Sequence, residues 1–340
     1  MLHGAFSGKV GTGFPQKMRP RKDSWHRVAA FALLLAGLAS VVAAHAQDYP
    51  TRPVFIVVGP GPDTMARLFG QKLSEAWGQQ VLVDPQPTGG GVVAMRTVAR
   101  AQPDGHSMLL TTGSYTINEA LRPNLPVLLL RDFEPAASIG TLSFILITNP
   151  SLPIKSVADL VKAARERPGQ LNCASSGVGT TAHLGCEMLK RAANVDIVHV
   201  PYKGAGPALV DLLGGRVEVT FSVPTIMEQV KSGQVHALAV TGPKRLAALP
   251  DVPTVAEAGL PDLEFGSWNG LHVTVGTPKP VVEKINAAVA KARELPDIRQ
   301  RMADLGFTPE GGTPAEFGEF VKRDLARWNK VVKETGVKLD

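Results

Sequence analysis

The sequence predicts an α/β protein made of two sheet-and-helix lobes, and three observations carry that prediction. Short apolar runs of strand length alternate repeatedly with helical patterns. About 290 residues follow an N-terminal leader, more than one comfortable hydrophobic core accommodates. No internal repeat, heptad or low-complexity stretch competes with this pattern.

The leader is read from its charge and hydropathy. Basic residues precede an apolar run from Val28 to Ala44, and Ala44-His45-Ala46 places small residues where a signal peptidase inspects them. Residues 1–46 are therefore expected to be a cleaved secretory signal, with 1–17 an upstream extension before Met18. The apolar run is short for a membrane span, and no cation stops it at its far end. The formal charge of +6 sits mostly here. Residues 1–47 hold six Lys/Arg and one Asp, leaving 30 cations against 29 anions, or +1. Nucleic acid, whose phosphates demand clustered cations, is not an expected partner. Export places Cys173 and Cys186 in an oxidising compartment, where a bridge would close a short loop. Two buried thiols are the alternative.

Val54-Phe55-Ile56-Val57-Val58 reads as a buried parallel strand. Thr64 to Trp77 follows as a helix, with Met65, Leu68, Phe69, Leu73 and Trp77 on one face. Val81-Leu82-Val83, Met108 to Thr112 and Phe144 to Ile147 read as further strands. Ser156 with Asp159 marks a helix N-terminus, and Gly214-Gly215 ends a helix from Pro207 to Leu213. Val217, Val219 and Phe221 alternate as a strand, and Ala237 to Val240 is another. Two helices are expected between Pro280 and Lys333, the last bearing Phe317, Phe320, Val321, Leu325 and Trp328. The β–α alternation predicts parallel sheets flanked by helices.

In such sheets ligands bind beyond the carboxyl ends of the strands, where helix N-termini gather. Three loops have the composition for it: Gly59 to Thr64, Pro87 to Gly91, and Ala174-Ser175-Ser176-Gly177-Val178-Gly179-Thr180-Thr181. Glycine lets backbone approach a ligand, and amides at a helix start carry partial positive charge. Added Ser and Thr hydroxyls suit the third loop to a carboxylate. Other residues have two roles open to them. Asp63 is either an N-cap or a ligand contact, His183 a packed ring or a contact, and Trp268 a cleft wall or core. Tyr202 and Lys203 either donate to a ligand or decorate a turn.

Catalytic patterns are largely missing. The third loop lacks the Gly-Lys-Ser/Thr ending of a phosphate loop, and no Gly-x-Ser-x-Gly elbow occurs. His183 and Glu187 lie one helical turn apart, but two candidate ligands are too few for zinc. A periplasmic hydrolase pairing Ser175 or Ser176 with His183 lacks an identifiable acidic partner. No catalysis, cofactor or metal is expected.

Several ordered segments resemble the tripartite tricarboxylate transporter receptors, or Bug receptors. They are Tyr49-Pro50-Thr51-Arg52-Pro53, Ala101-Gln102-Pro103-Asp104-Gly105, Asn149-Pro150-Ser151-Leu152-Pro153, Ser175 to Leu184, Val198-His199-Val200-Pro201-Tyr202-Lys203-Gly204, Leu212-Leu213-Gly214-Gly215 and Leu249-Pro250-Asp251-Val252-Pro253-Thr254. The resemblance implies a periplasmic binding protein type II architecture, acting as a monomer and closing on a small carboxylate between its lobes. Residues 47–146 plus 247–340 would form the first lobe and 147–246 the second. One carboxylate contact would fall on Asp63 and Thr64, another on Ser175, Ser176, Gly177, Gly179, Thr180 and His183, with Ser114 nearby. Membrane permease subunits, and in some members a sensor kinase, would be the partners. Two departures stand out: the loop Gly59 to Asp63 is shorter than in relatives, and Ser222 replaces an acidic residue that engages a ligand amine. The second argues against an amino-acid ligand.

Overall fold

The computed structural model describes residues 49–59, 63–86, 88, 91–122 and 124–337. The expected signal segment 1–46, the first-loop residues 60–62, and Pro87, Gly89 and Gly90 of the second loop lie outside the described residues. The strands are β1 (Val54–Val58), β2 (Val81–Pro85), β3 (Ser107–Thr112), β4 (Phe133–Ser143), β5 (Ile145–Thr148) and β6 (Asn172–Ser175). They continue as β7 (Val198–Pro201), β8 (Val219–Ser222), β9 (His236–Val240), β10 (Gly266–Thr274) and β11 (Phe307–Pro309). Helices in the first half are α1 (Thr64–Trp77), α2 (Val92–Ala99), α3 (Gly113–Leu121), α4 (Leu129–Asp132) and α5 (Val157–Glu166). Those in the second half are α6 (Thr181–Ala193), α7 (Ala205–Leu213), α8 (Met227–Lys231), α9 (Lys279–Glu294), α10 (Pro296–Asp304) and α11 (Pro314–Thr335).

Among the described residues two sheets result, one six-stranded in the order β11-β4-β10-β3-β1-β2 and one five-stranded in the order β7-β6-β8-β5-β9. Both are mixed, which corrects the expectation of parallel sheets. β1 is parallel to β2 and β3, whereas β10 runs antiparallel between β3 and β4. β6 is parallel to β7 and β8, while β5 is antiparallel to β8 and β9. The antiparallel strands are those by which the chain changes lobe: β4 runs into β5 through Phe144 alone, and β10 carries the chain back. A strand that crosses between sheets needs no covering helix before it, so the β–α rhythm does not register it.

Side-chain alternation gives each sheet two apolar faces. Ile56 and Val58 pack with Met65, Phe69 and Leu73 of α1, and Val57 turns the other way to pack with Ala94, Met95 and Val98 of α2. In the second lobe Leu146, Cys173 and Phe221 face α5 and α6, and Ile145, Ile147 and Ala174 face α7. The segment assigned above to the first lobe from residue 247 belongs partly elsewhere: Val255, Leu263 and Phe265 pack in the core of the five-stranded sheet.

Three helices, not two, follow β10. Pro296 holds Leu295 in extended conformation (ψ 135°), ending α9 and opening α10. α11 starts with a capping box, Thr313 and Glu316, followed by Pro314. This last helix serves both lobes: Phe317 and Val321 pack on the first, and the fully buried Trp328 on the second. Among the described residues no helix is long and apolar enough to cross a membrane.

Candidate functional site

The Ser/Gly/Thr loop leaves the carboxyl end of β6 and enters α6. Gly177 and Gly179 take φ of 136° and 80°, values that an L side chain resists. Thr180 is the N-cap of α6, its Oγ1 accepting from the His183 amide at 3.3 Å and donating to the Gly177 carbonyl at 2.7 Å. The Tyr202 amide donates to the Ser175 carbonyl at 3.0 Å, tying the loop to the segment after β7.

Two imidazoles hold this loop from beneath. His183 is buried, and its Nδ1 accepts from the Gly179 amide at 3.1 Å. Ser175 Oγ lies 2.7 Å from Nε2 of His199, which no local sequence pattern singles out. The two rings stack, with centroids 4.1 Å apart. Parallel register explains the meeting: β7 pairs Cys173 with His199 and Ser175 with Pro201, so Cys173, Ser175 and His199 share the face beneath α6. Cys173 and Cys186 are joined by a disulfide, fixing α6 to that face. The Ser–His pair therefore involves His199 rather than His183. Ser175 has no solvent exposure (0%), so it offers no nucleophile to a solute.

Ser114 lies in the first turn of α3, its amide bonded to the Thr112 cap at 3.3 Å. α3 packs against α6, and Ile117 enters the second lobe's core together with Leu184. The third-strand loop and the Ser/Gly/Thr loop thus stand on contacting helices from opposite lobes. Asp63 and Thr64 follow β1, which lies beside β3. Ser176 and Ser222 line one cavity of about 60 Å³, together with Phe144, Leu209, Thr220 and Phe221. That volume matches about two waters. A larger groove of about 490 Å³ is lined by Val157, Val161, Arg165 and Leu260 among others, and no predicted ligand contact lines it.

Besides Ser175 and His183, which are engaged inside the second lobe, three more predicted residues are committed elsewhere. The Asp63 carboxylate does not cap α1 through its side chain but pairs with Arg67 of the next turn at 2.6 Å. Trp268 is core rather than cleft wall, buried against Phe317 with its Nε1 donating to Asp324 at 2.8 Å. The Tyr202 hydroxyl donates to the Asp211 carboxylate at 2.6 Å, so it serves a surface pair.

The loop carries hydroxyls and a helix start instead of a formal charge, and the amides of Gly177, Gly179 and Thr180 are bonded to Ser175 Oγ, His183 Nδ1 and the Gly177 carbonyl. A helix start without nearby charge suits an anion. Two lobes, each built on a mixed sheet and joined by chain crossings, define the class as that of the periplasmic binding proteins. Comparison with known proteins narrows the class. The sequence model described as the tripartite tricarboxylate transporter family receptor matches residues 65–337. BugT of Bordetella pertussis is 33% identical over 92% of this chain and 97% of its own length. The structure of R. palustris Rpa4515 with adipate is 35% identical with a TM-score of 0.80, covering 86% of this chain and 99% of that one. MatC of Rhodopseudomonas palustris with bound malate is 33% identical with a TM-score of 0.75, covering 84% and 100%. The chain belongs to the tripartite tricarboxylate transporter receptor family, the Bug receptors, and is a solute-binding receptor by that membership.

Proposed function

We propose that this protein is a periplasmic receptor that takes up a small carboxylate between its lobes and hands it to a tripartite-type membrane permease. The observation that carries the reading is the loop Ser175–Thr180, which opens α6 with two glycines at positive φ and a Thr180 cap and carries hydroxyls but no charged side chain. Relatives holding adipate and malate support a carboxylate as the class of solute. Ser222 at the end of β8, close to Ser176, supports an acid without an amine. Closure excludes water and strengthens each donor, so micromolar binding, about −8 kcal/mol, is expected.

The test is a thermal-shift panel of organic, aromatic and amino acids on protein refolded to remove endogenous ligand. A ligand that binds only the folded form raises the melting temperature by mass action. At least one organic or aromatic acid should do so, and amino acids should not. A panel in which no carboxylate shifts the transition overturns the proposal.

A further inference from the structure

The sequence offers two metal-ligating residues one turn apart on α6, and the fold adds a third from β7. One donor atom from each of His183, Glu187 and His199 lies within 4.8 Å of the other two. We propose that these three side chains form a site for a divalent transition cation of the zinc class. Two imidazoles and one carboxylate are a recurrent zinc ligand set, and they suit Mg²⁺ or Ca²⁺ poorly, since those ions favour oxygen throughout.

The hydrogen bonds of His199 fit a ligating role. With the Ser175 proton on the Gly177 carbonyl, His199 Nε2 donates to Ser175 Oγ and Nδ1 keeps its lone pair. A ligating histidine commonly carries such an outer oxygen partner on its other nitrogen.

Tetrahedral zinc with bonds of about 2.0–2.2 Å holds its ligand atoms roughly 3.3 Å apart. The cluster must therefore draw inward around the ion. Glu187 does so by leaving Lys190, whose Nζ is 2.8 Å away and partly exposed, and the two stacked imidazoles, inclined by 27°, turn so that both lone pairs meet the ion. The framework itself is pinned, because the disulfide ties α6 to Cys173, the register partner of His199. His183 Nδ1 now accepts from the Gly179 amide. An ion on either nitrogen of that ring ends this bond: it displaces the amide from Nδ1, or it takes Nε2 and moves the ring proton to Nδ1. Cation binding thus frees an amide of the Ser/Gly/Thr loop.

The experiment titrates chelator-stripped, full-length protein with Zn²⁺ alone by calorimetry and with Co²⁺ by visible absorption. Expected are one ion per chain, Co²⁺ bands of a low-coordinate site, and an affinity loss of at least about tenfold in both His199→Ala and Glu187→Gln. Glu187→Gln keeps size and hydrogen bonding, so it decides the matter should His199→Ala fail to fold. Absence of stoichiometric binding overturns the proposal. So does binding that Glu187→Gln leaves within about twofold of the parent protein, which would place the ion elsewhere. The carboxylate panel is run without metal, so the two readings stand or fall separately.

Discussion

Gly177→Ala probes the loop on which the solute reading rests. Gly177 holds φ of 136°, a region that essentially only glycine occupies, and forcing another residue there costs about 1–3 kcal/mol. A Cβ at this position would also stand 3.3 Å from the Tyr202 carbonyl oxygen. That neighbour has little room to give, because the Tyr202 amide is bonded to Ser175. The Gly177 carbonyl meanwhile accepts from the Thr180 hydroxyl at 2.7 Å, so a shift of the peptide disturbs the cap of α6. If the loop keeps its shape, stability falls by about 2 kcal/mol. If it relaxes, affinity falls instead, by about 30-fold for the same free energy. Urea unfolding with and without a carboxylate taken from the panel measures both quantities. Gly206→Ala is the control, since Gly206 sits in the first turn of α7 with no atom within 4 Å of an added Cβ, and it should be neutral or slightly stabilising. Gly177→Ala with parental stability and parental affinity together would refute the reasoning.

Two further outcomes follow from the core. Reduction of Cys173–Cys186 opens a bridge between residues 13 apart and should lower stability by about 3 kcal/mol on the loop-entropy model; an unchanged urea midpoint, once a thiol assay reports both cysteines reduced, would contradict this. His272, bonded to Thr111 in the middle of the six-stranded sheet, is brought by burial from 6.5 to about 3. The unfolded chain then binds the extra proton between these values. This residue's contribution is complete above pH 6.5 and declines toward pH 3 by at most about 1.4 kcal/mol per pH unit. His272→Gln should flatten the fall in unfolding free energy between about pH 6.5 and 4.5, and equal slopes in the two proteins would exclude it.

Local chemistry was readable along the chain. The apolar run of β1, the one-sided face of α1 and the Ser156–Asp159 start of α5 all lie where their patterns put them, because period and capping depend on near neighbours. The glycines of the Ser/Gly/Thr loop belong to the same kind of information. Other features depend on register and on which strands become neighbours. Nothing near Trp268 in sequence announces Asp324, which claims its indole from α11, and nothing near Ser175 announces His199. β4, rich in Ala, Gly and Ser, carries too weak a pattern to declare itself an eleven-residue crossing strand. Sequence by itself determined the strongly patterned elements, the Ser/Gly/Thr loop and the family. Only the tertiary structure decided which side chains are free for a ligand and which are already bonded, because hydrogen bonds and burial are settled between residues far apart in the chain.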